Sequence, residues 1–139
     1  DKVEVEYDQI YKTVGLGTTI WSPLGSGILT GKYNDGMAES TRLSMDGMEW
    51  LKDKSLVEEN LEKVRKLTVL ATEIGTTMPK LAIAWCLKNE NVSTAILGAS
   101  KVSQLEETLT ALDDVELLTE EVMQKIGDIL DNEPVRPAF

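Results

Sequence analysis

Residues 18–33 read TTIWSPLGSGILTGKY, and the two halves of this stretch have opposite structural preferences. Residues 18–21 are β-branched or aromatic, which favours a strand. Residues 22–32 contain a proline, three glycines and a final lysine, which favours a loop with an unusual backbone. The stretch therefore predicts a short buried strand over Thr18–Ser22 that runs directly into a glycine-rich loop.

A second stretch of the same kind lies at residues 92–100, VSTAILGAS, where a β-branched strand ends in a glycine. Between the two predicted strands, residues 55–74 have the periodicity of an amphipathic helix, with Ser55 as its predicted N-cap. The helix that contains LAIAWCLK, residues 81–88, is apolar on nearly every side and must be buried. Strands separated by helices indicate an α/β fold with parallel strands.

Two strands cannot form a parallel sheet that buries both of its faces. We therefore expect further strands from residues before Asp1, and we interpret the chain as a fragment of a longer protein. Residues 1–14 have helical spacing, with an apolar face that Gly15 and Gly17 are well placed to end. Residues 34–54 are predicted to be an ordered connecting segment instead of a flexible linker, because this segment contains three large side chains that need burying: Met45, Met48 and Trp50.

Composition narrows the possible functions. The chain has 139 residues, enough for one domain, and its formal net charge of −10 disfavours nucleic acid as a partner. It has no histidine and a single cysteine, Cys86, which we expect to be a buried packing residue and not a nucleophile. No apolar run is long enough to cross a bilayer and no signal peptide is recognisable, so the expected location is cytoplasmic.

Both predicted strands end in residues that suit an anion. The first is followed by small residues and hydroxyls, with Lys32 nearby, and the second by Gly98, Ala99 and Ser100 before a helix begins at about Ser103. Backbone amides made accessible by glycine, a hydroxyl, a helix N-terminus and a lysine are the components of an anion site. The spacing matches no phosphate-binding fingerprint, so two ordinary turns remain an equal alternative.

Four strings in a fixed order along the chain, together with three single residues, carry a family resemblance. They are WSPLGSGILTGKY at 21–33 with Arg42 after it, WLKDK at 50–54, LAIAWCLKNENVS at 81–93, and ILGAS at 96–100 followed by Gln104 and Glu107. This pattern resembles the C-terminal portion of the aldo-keto reductases, and most of all the branch that contains the β subunits of voltage-gated potassium channels. The match covers almost the whole chain.

The resemblance implies that residues 1–139 are the C-terminal portion of one (β/α)8 TIM-barrel domain whose N-terminal portion is missing. Thr18–Ser22 would be its seventh strand and Thr94–Leu97 its eighth. The implied cofactor is NADPH, and the cofactor-binding residues carried over from the family are Trp21, Ser22, Pro23, Leu24, Gly25, Ser26, Lys32, Arg42, Gly98, Ser100, Gln104, Glu107 and Thr108. The family usually has asparagine where this chain has Thr108.

The resemblance also assigns roles. The first loop would wrap the pyrophosphate through Ser22, Leu24, Ser26 and Lys32, with Trp21 beside the nicotinamide. Arg42 would lie against the adenosine end of the cofactor. The 2′-phosphate would be held by Gly98, Ser100 and Gln104, from the second loop and its helix. Glu107 would reach the adenine.

The catalytic residues of the family are an Asp, a Tyr, a Lys and a His or its substitute, all from the first half of the barrel, so no catalytic residue is predicted in this chain. Tyr7, Tyr11 and Tyr33 do not match those positions and are expected to pack, as are Trp50 and Trp85. Two functions remain open. One is NADPH-dependent reduction of an aldehyde or ketone, and the other is a regulatory subunit, with a possible homotetramer, that binds NADPH and associates with a potassium channel.

Overall fold

A computed structural model of the protein describes residues 2–36 and 40–135. Its α-helices and strands are, in chain order, α1 (Asp8–Val14), β1 (Thr18–Trp21), α2 (Glu49–Ser55), α3 (Glu58–Glu73), α4 (Met78–Lys88), β2 (Val92–Ile96), α5 (Val102–Leu109) and α6 (Glu120–Leu130). A π-helical turn precedes α1, and three segments are 3₁₀-helical: Gly25–Thr30, Arg42–Ser44 and Thr110–Leu117. The alternation of strands and helices confirms the predicted α/β class.

Strands β1 and β2 pair in parallel, as predicted, with the connection between them running through α2, α3 and α4. The register places Ile20 opposite Ala95 and Trp21 opposite Ile96. The strand limits differ slightly from those predicted, because β1 ends at Trp21 and β2 ends at Ile96. The described residues hold only these two strands in the sheet, so a complete barrel remains a prediction.

The start of the sheet contains an irregularity that explains one glycine. The register shifts between Thr18 and Thr19, so Ser93 is an extra residue on β2. A Cβ atom at Gly17 would collide with the Ser93 hydroxyl, whereas the Thr18 amide and hydroxyl both donate to the Asn91 carbonyl, at 3.0 and 2.8 Å. Gly17 therefore permits a close approach of the strands, and Gly15 alone, with φ of 67°, ends α1.

The hydrophobic core lies where α3, α4 and α6 pack together. The predicted apolar faces are confirmed: Val64, Leu67 and Ala71 of α3 are buried, as are residues 81–84 of α4. Each fully buried aliphatic side chain contributes about 1.5–3 kcal/mol by leaving water. The core cluster consists of Ile28, Val64, Leu67, Leu70, Ala71, Met78, Leu81, Ala82, Ala84, Leu118, Val122 and Ile126.

Helix starts were predicted with mixed success. Thr119, followed by Glu120 and Glu121, has the sequence pattern of a helix N-cap, and this prediction is confirmed, because its side chain accepts from the Val122 amide at 3.3 Å. The Ser55 cap was wrong: Ser55 is the last residue of α2, and α3 begins at Glu58 after Val57. The reason is local, since Leu56 and Val57 leave the helical path between two consecutive helices, while the Ser55 carbonyl accepts from the Asn60 side-chain amide at 3.2 Å.

Several large side chains are more exposed than predicted. Met45 and Trp50 retain 61% and 65% of their accessible surface, so the argument that they need burying was wrong for both. Trp85 is 38% exposed although the rest of its helix is largely buried. Tyr11 and Tyr33 are buried, which confirms that they pack. The predicted ordered segment over 34–54 also includes residues 37–39, which lie outside the described residues.

Nothing within residues 2–36 and 40–135 covers one face of the strand pair. Trp21 retains 80% and Ile96 56% of their accessible surface, and these two residues are register partners. Thr19 and Thr94, which are also partners, are exposed on the same strands. Parallel strands are almost always covered on both faces, so this surface is suited to contact with further protein.

The exposed sheet face generates the first prediction. We expect the 139-residue chain, produced alone, to self-associate instead of behaving as a stable monomer, because strand edges and a Trp21–Ile96 apolar patch are open. Light scattering coupled to size exclusion measures this. Substituting Trp21→Ser together with Ile96→Thr should reduce the association, whereas a monodisperse monomer with a cooperative thermal transition would contradict the prediction.

Candidate functional site

The parallel pairing brings two loops to the same edge of the sheet. Trp21 and Ile96 are the last residues of their strands and lie opposite each other, so the chain leaves both strands side by side. The carboxyl ends of parallel strands are the usual place for ligands in α/β proteins. Residues 22–33 form the first loop and residues 97–101 the second loop.

The backbone of the first loop is held in unusual conformations. Ser22 and Ser26 have positive φ angles of 55° and 60°, although neither is glycine, and Gly25 and Gly27 have φ of 53° and 97°. Two tight turns close it, with the Gly25 amide donating to the Ser22 carbonyl and the Gly27 amide to the Leu24 carbonyl, each at 2.9 Å. Left-handed non-glycine residues are uncommon and cluster at functional sites.

Lys32 folds back over the first loop. A Cβ atom added to Gly27 would lie 2.9 Å from the Lys32 Nζ, so a side chain here would displace the ammonium, and the φ of 97° at this position favours glycine as well. The same Nζ lies 5.0 Å from the centre of the Tyr33 ring, within the range of a cation–π contact. Tyr33 is 1% exposed and therefore offers a fixed support. The structure thus places a cation directly against the glycine backbone.

A groove of 660 Å³ runs along the first loop. Four of the predicted residues line one wall: Trp21, Ser22, Gly25 and Ser26. The other walls come from α2, α3 and the end of α6, and they include Lys54 and Lys63. Lys63 is ion-paired with Glu59 at 2.9 Å. Neither lysine was predicted, since in sequence each is an ordinary charged residue of an exposed helix face.

In the second loop, Gln104 ties the turn to the first turn of α5. Its Oε1 accepts from the Ser100 amide at 2.9 Å, the Ser100 hydroxyl at 3.1 Å and the Lys101 amide at 3.2 Å. This oxygen therefore satisfies donors at the helix start, as in a capping interaction. The amide group is held in one orientation, which leaves the Nε2 hydrogens of Gln104 for another acceptor.

Glu107 and Thr108 occupy different environments on α5. The exposed Glu107 carboxylate accepts from the Thr77 hydroxyl at 2.8 Å. Thr108 is 8% exposed, and its hydroxyl lies 2.8 Å from the Gln104 carbonyl, to which it donates within its own helix. The hydroxyl proton of Thr108 is therefore already used, although a cofactor contact by Thr108 stays a prediction.

The remaining predicted residues do not line the groove. Pro23 is buried, Leu24 is half-buried against the core, and Gly98 is exposed in the second loop. Arg42 is exposed at the start of its own 3₁₀ turn, which packs beside the Gly25–Thr30 segment. The structure thus collects part of the predicted set in one groove and places the second loop next to it along the sheet edge.

The described residues give little support for a metal site or a reactive cysteine. Over 2–36 and 40–135, no group of three or more acidic, cysteine or histidine side chains is arranged to hold a metal ion. Cys86 is half-buried, and burial raises the pKa of its thiol, which disfavours the reactive thiolate. No helix within the described ranges is both long and apolar enough to traverse a membrane.

Comparison with known proteins was consistent with these features. The aldo/keto reductase family matches residues 4–131. The chain is 45% identical over 137 residues to the Arabidopsis thaliana protein named "Probable voltage-gated potassium channel subunit beta", covering 98% of this chain and 42% of that protein. It is 46% identical over 136 residues to the protein of the same name from Oryza sativa subsp. japonica, covering 97% of this chain and 42% of that protein.

The chain thus spans less than half the length of these two relatives. The family match extends from the turn before α1 to the residue after α6, and so includes both loops and the groove. The resemblance noted from four sequence strings is confirmed over nearly all of the chain. The protein belongs to the aldo/keto reductase family.

Proposed function

We propose that the two loops form the NADPH-binding edge of an aldo-keto reductase barrel, and that the protein reduces aldehydes or ketones by hydride transfer. The observation that carries the proposal is the register of the strand pair, in which Trp21 lies opposite Ile96. Because of it, two loops rich in glycine and hydroxyl groups leave the same sheet edge together. A dinucleotide phosphate has two separate anionic groups, and two adjacent donor loops suit such a ligand.

The first loop suits the pyrophosphate. Ser22 and Ser26 line the groove, Gly25 and Gly27 allow close approach of the backbone, and Lys32 supplies a charge against that backbone. Lys54 adds positive charge to the opposite wall, where Lys63 is already paired with Glu59. In this assignment Leu24 contributes its backbone, Trp21 lies beside the nicotinamide and Arg42 lies at the adenosine end.

The second loop suits the 2′-phosphate. Ser100 and Gln104 are exposed and hydrogen-bonded to each other, and Gly98 adds no side chain that could obstruct a ligand. Gln104 keeps its oxygen on the loop amides, so its Nε2 hydrogens are the donors assigned to the phosphate. Since NADH lacks this phosphate, these residues would determine the preference for NADPH.

NADPH, when bound, supplies the hydride, and the residues of this chain bind and orient it. We assign no catalytic proton donor to residues 1–139. Tyr11 and Tyr33 are buried and pack, and neither hydroxyl has a hydrogen-bond partner within the part of the chain that the structure describes. The catalytic Asp, Tyr, Lys and His, or the substitute for the last, are proposed to come from other parts of the complete barrel.

A second candidate function is regulatory. The names of the two plant relatives favour a β-type subunit of a voltage-gated potassium channel. In this second proposal the complete protein binds NADPH, forms a homotetramer and associates with the channel from the cytoplasmic side. The two functions are not exclusive, because both use the same cofactor site. Turnover of an aldehyde by the purified full gene product supports the first, and co-purification with a channel without turnover supports the second.

Lys32 provides a test of the pyrophosphate assignment. In the full gene product, Lys32→Met should weaken NADPH and NADH equally, because both cofactors carry the pyrophosphate. Losing one charge-assisted contact costs about 1.5–3 kcal/mol, which is roughly a tenfold to 150-fold rise in Kd. Fluorescence titration measures both dissociation constants. Lys66→Met on the exposed surface of α3 is the matched control, and unchanged affinity in Lys32→Met would contradict the assignment.

Ser100 and Gln104 provide a test of cofactor preference. Ser100→Ala combined with Gln104→Ala should lower NADPH affinity by at least about tenfold and leave NADH nearly unchanged, since only NADPH carries the 2′-phosphate. Titration with both cofactors separates binding from folding. An equal loss for both would mean that the missing cap had damaged the second loop, and no loss would locate the 2′-phosphate elsewhere.

A further inference from the structure

Thr77 stands at the start of α4 but does not cap it. A threonine in the N-cap position usually accepts a hydrogen bond from an amide in the first turn of its own helix. The Thr77 side chain makes no such bond, and its hydroxyl donates instead to the Glu107 Oε1 at 2.8 Å. The two residues are 30 positions apart in the chain, so the bond joins α4 to α5.

The neighbouring hydroxyl has a different partner. Thr76 donates to the Asp114 carboxylate, which also forms an ion pair with Lys80 at 2.9 Å, and both charged side chains of that pair are largely buried. Asp114 thus holds the 3₁₀ segment against the start of α4. Glu107 is exposed, and within the described residues Thr77 is the one group that donates to its carboxylate.

We propose that Thr77 is a positioning residue that orients Glu107 for recognition of the adenine base, an inference that rests on the proposed function. The bond to Oε1 restricts the rotation of a long flexible side chain and leaves Oε2 to accept from the exocyclic amino group of the base. Restricting a side chain before the ligand binds reduces the entropy lost on binding. Thr77 itself does not touch the cofactor in this scheme.

The test uses the full gene product and two ligands. NADPH carries the exocyclic amino group, whereas its hypoxanthine analogue carries at the same position a carbonyl oxygen, which cannot donate to Glu107. Thr77→Val should lower NADPH affinity by roughly threefold to tenfold and leave the affinity for the analogue nearly unchanged. Thr77→Ser keeps the hydroxyl and should restore NADPH affinity. Thr77→Ala serves in place of the valine variant if that variant does not fold.

Thr76→Val is the matched control, because it removes the adjacent hydroxyl and its bond to Asp114 without touching Glu107. It should lower the Tm of the protein and leave the ratio of the two affinities at the unmodified value. An unchanged ratio in Thr77→Val would overturn the positioning role. If Glu107→Ala nevertheless reduced the ratio, the proposed function would stand, whereas failure of the unmodified protein to bind NADPH would overturn both.

Discussion

The parallel pairing of β1 with β2 is the constraint on which the rest of the structure depends. Parallel neighbours cannot be joined by a tight turn, so the chain between Trp21 and Val92 must cross over, and it does so through α2, α3 and α4. The apolar faces of α3 and α4 are buried by that crossover, with α6 closing the core. The same pairing brings both strand ends to one edge, so core formation and site formation follow from a single register.

A chain with a net charge of −10 can still favour an anion at this edge. The Debye length at physiological ionic strength is about 8 Å, so distant carboxylates are largely screened and local groups decide. Lys32 lies against the glycine backbone, and Lys54 and Lys63 face the groove. Backbone amides add positive partial charge without the desolvation cost of a full charge. The positive φ angles at Ser22 and Ser26 are relevant because successive amides in such turns can form a concavity that binds an anion.

Local patterns predicted the elements well and the long-range contacts poorly. The strand that runs into a glycine loop, the apolar face of α3 and the Thr119 cap are encoded within a few residues, and the structure contains all three. Burial of Met45 and Trp50 was wrong because hydrophobicity alone does not supply a partner surface. Lys54 in the groove and the bond from Thr77 to Glu107 were missed, since each depends on elements that only the crossover brings together.

Trp21 couples the uncovered sheet face to the groove, because its side chain is 80% exposed and it lines the groove. A tryptophan buries about 150–250 Å² when it is covered, and at about 25 cal/mol per Å² this is worth roughly 4–6 kcal/mol. That free energy is available to whatever covers the residue, whether further protein or the ring of a bound cofactor. A ligand that binds only the folded state raises its stability, so a cofactor ring that covered Trp21 would stabilise the fold. Trp21 is therefore the residue through which binding in the groove would change the stability of the fold.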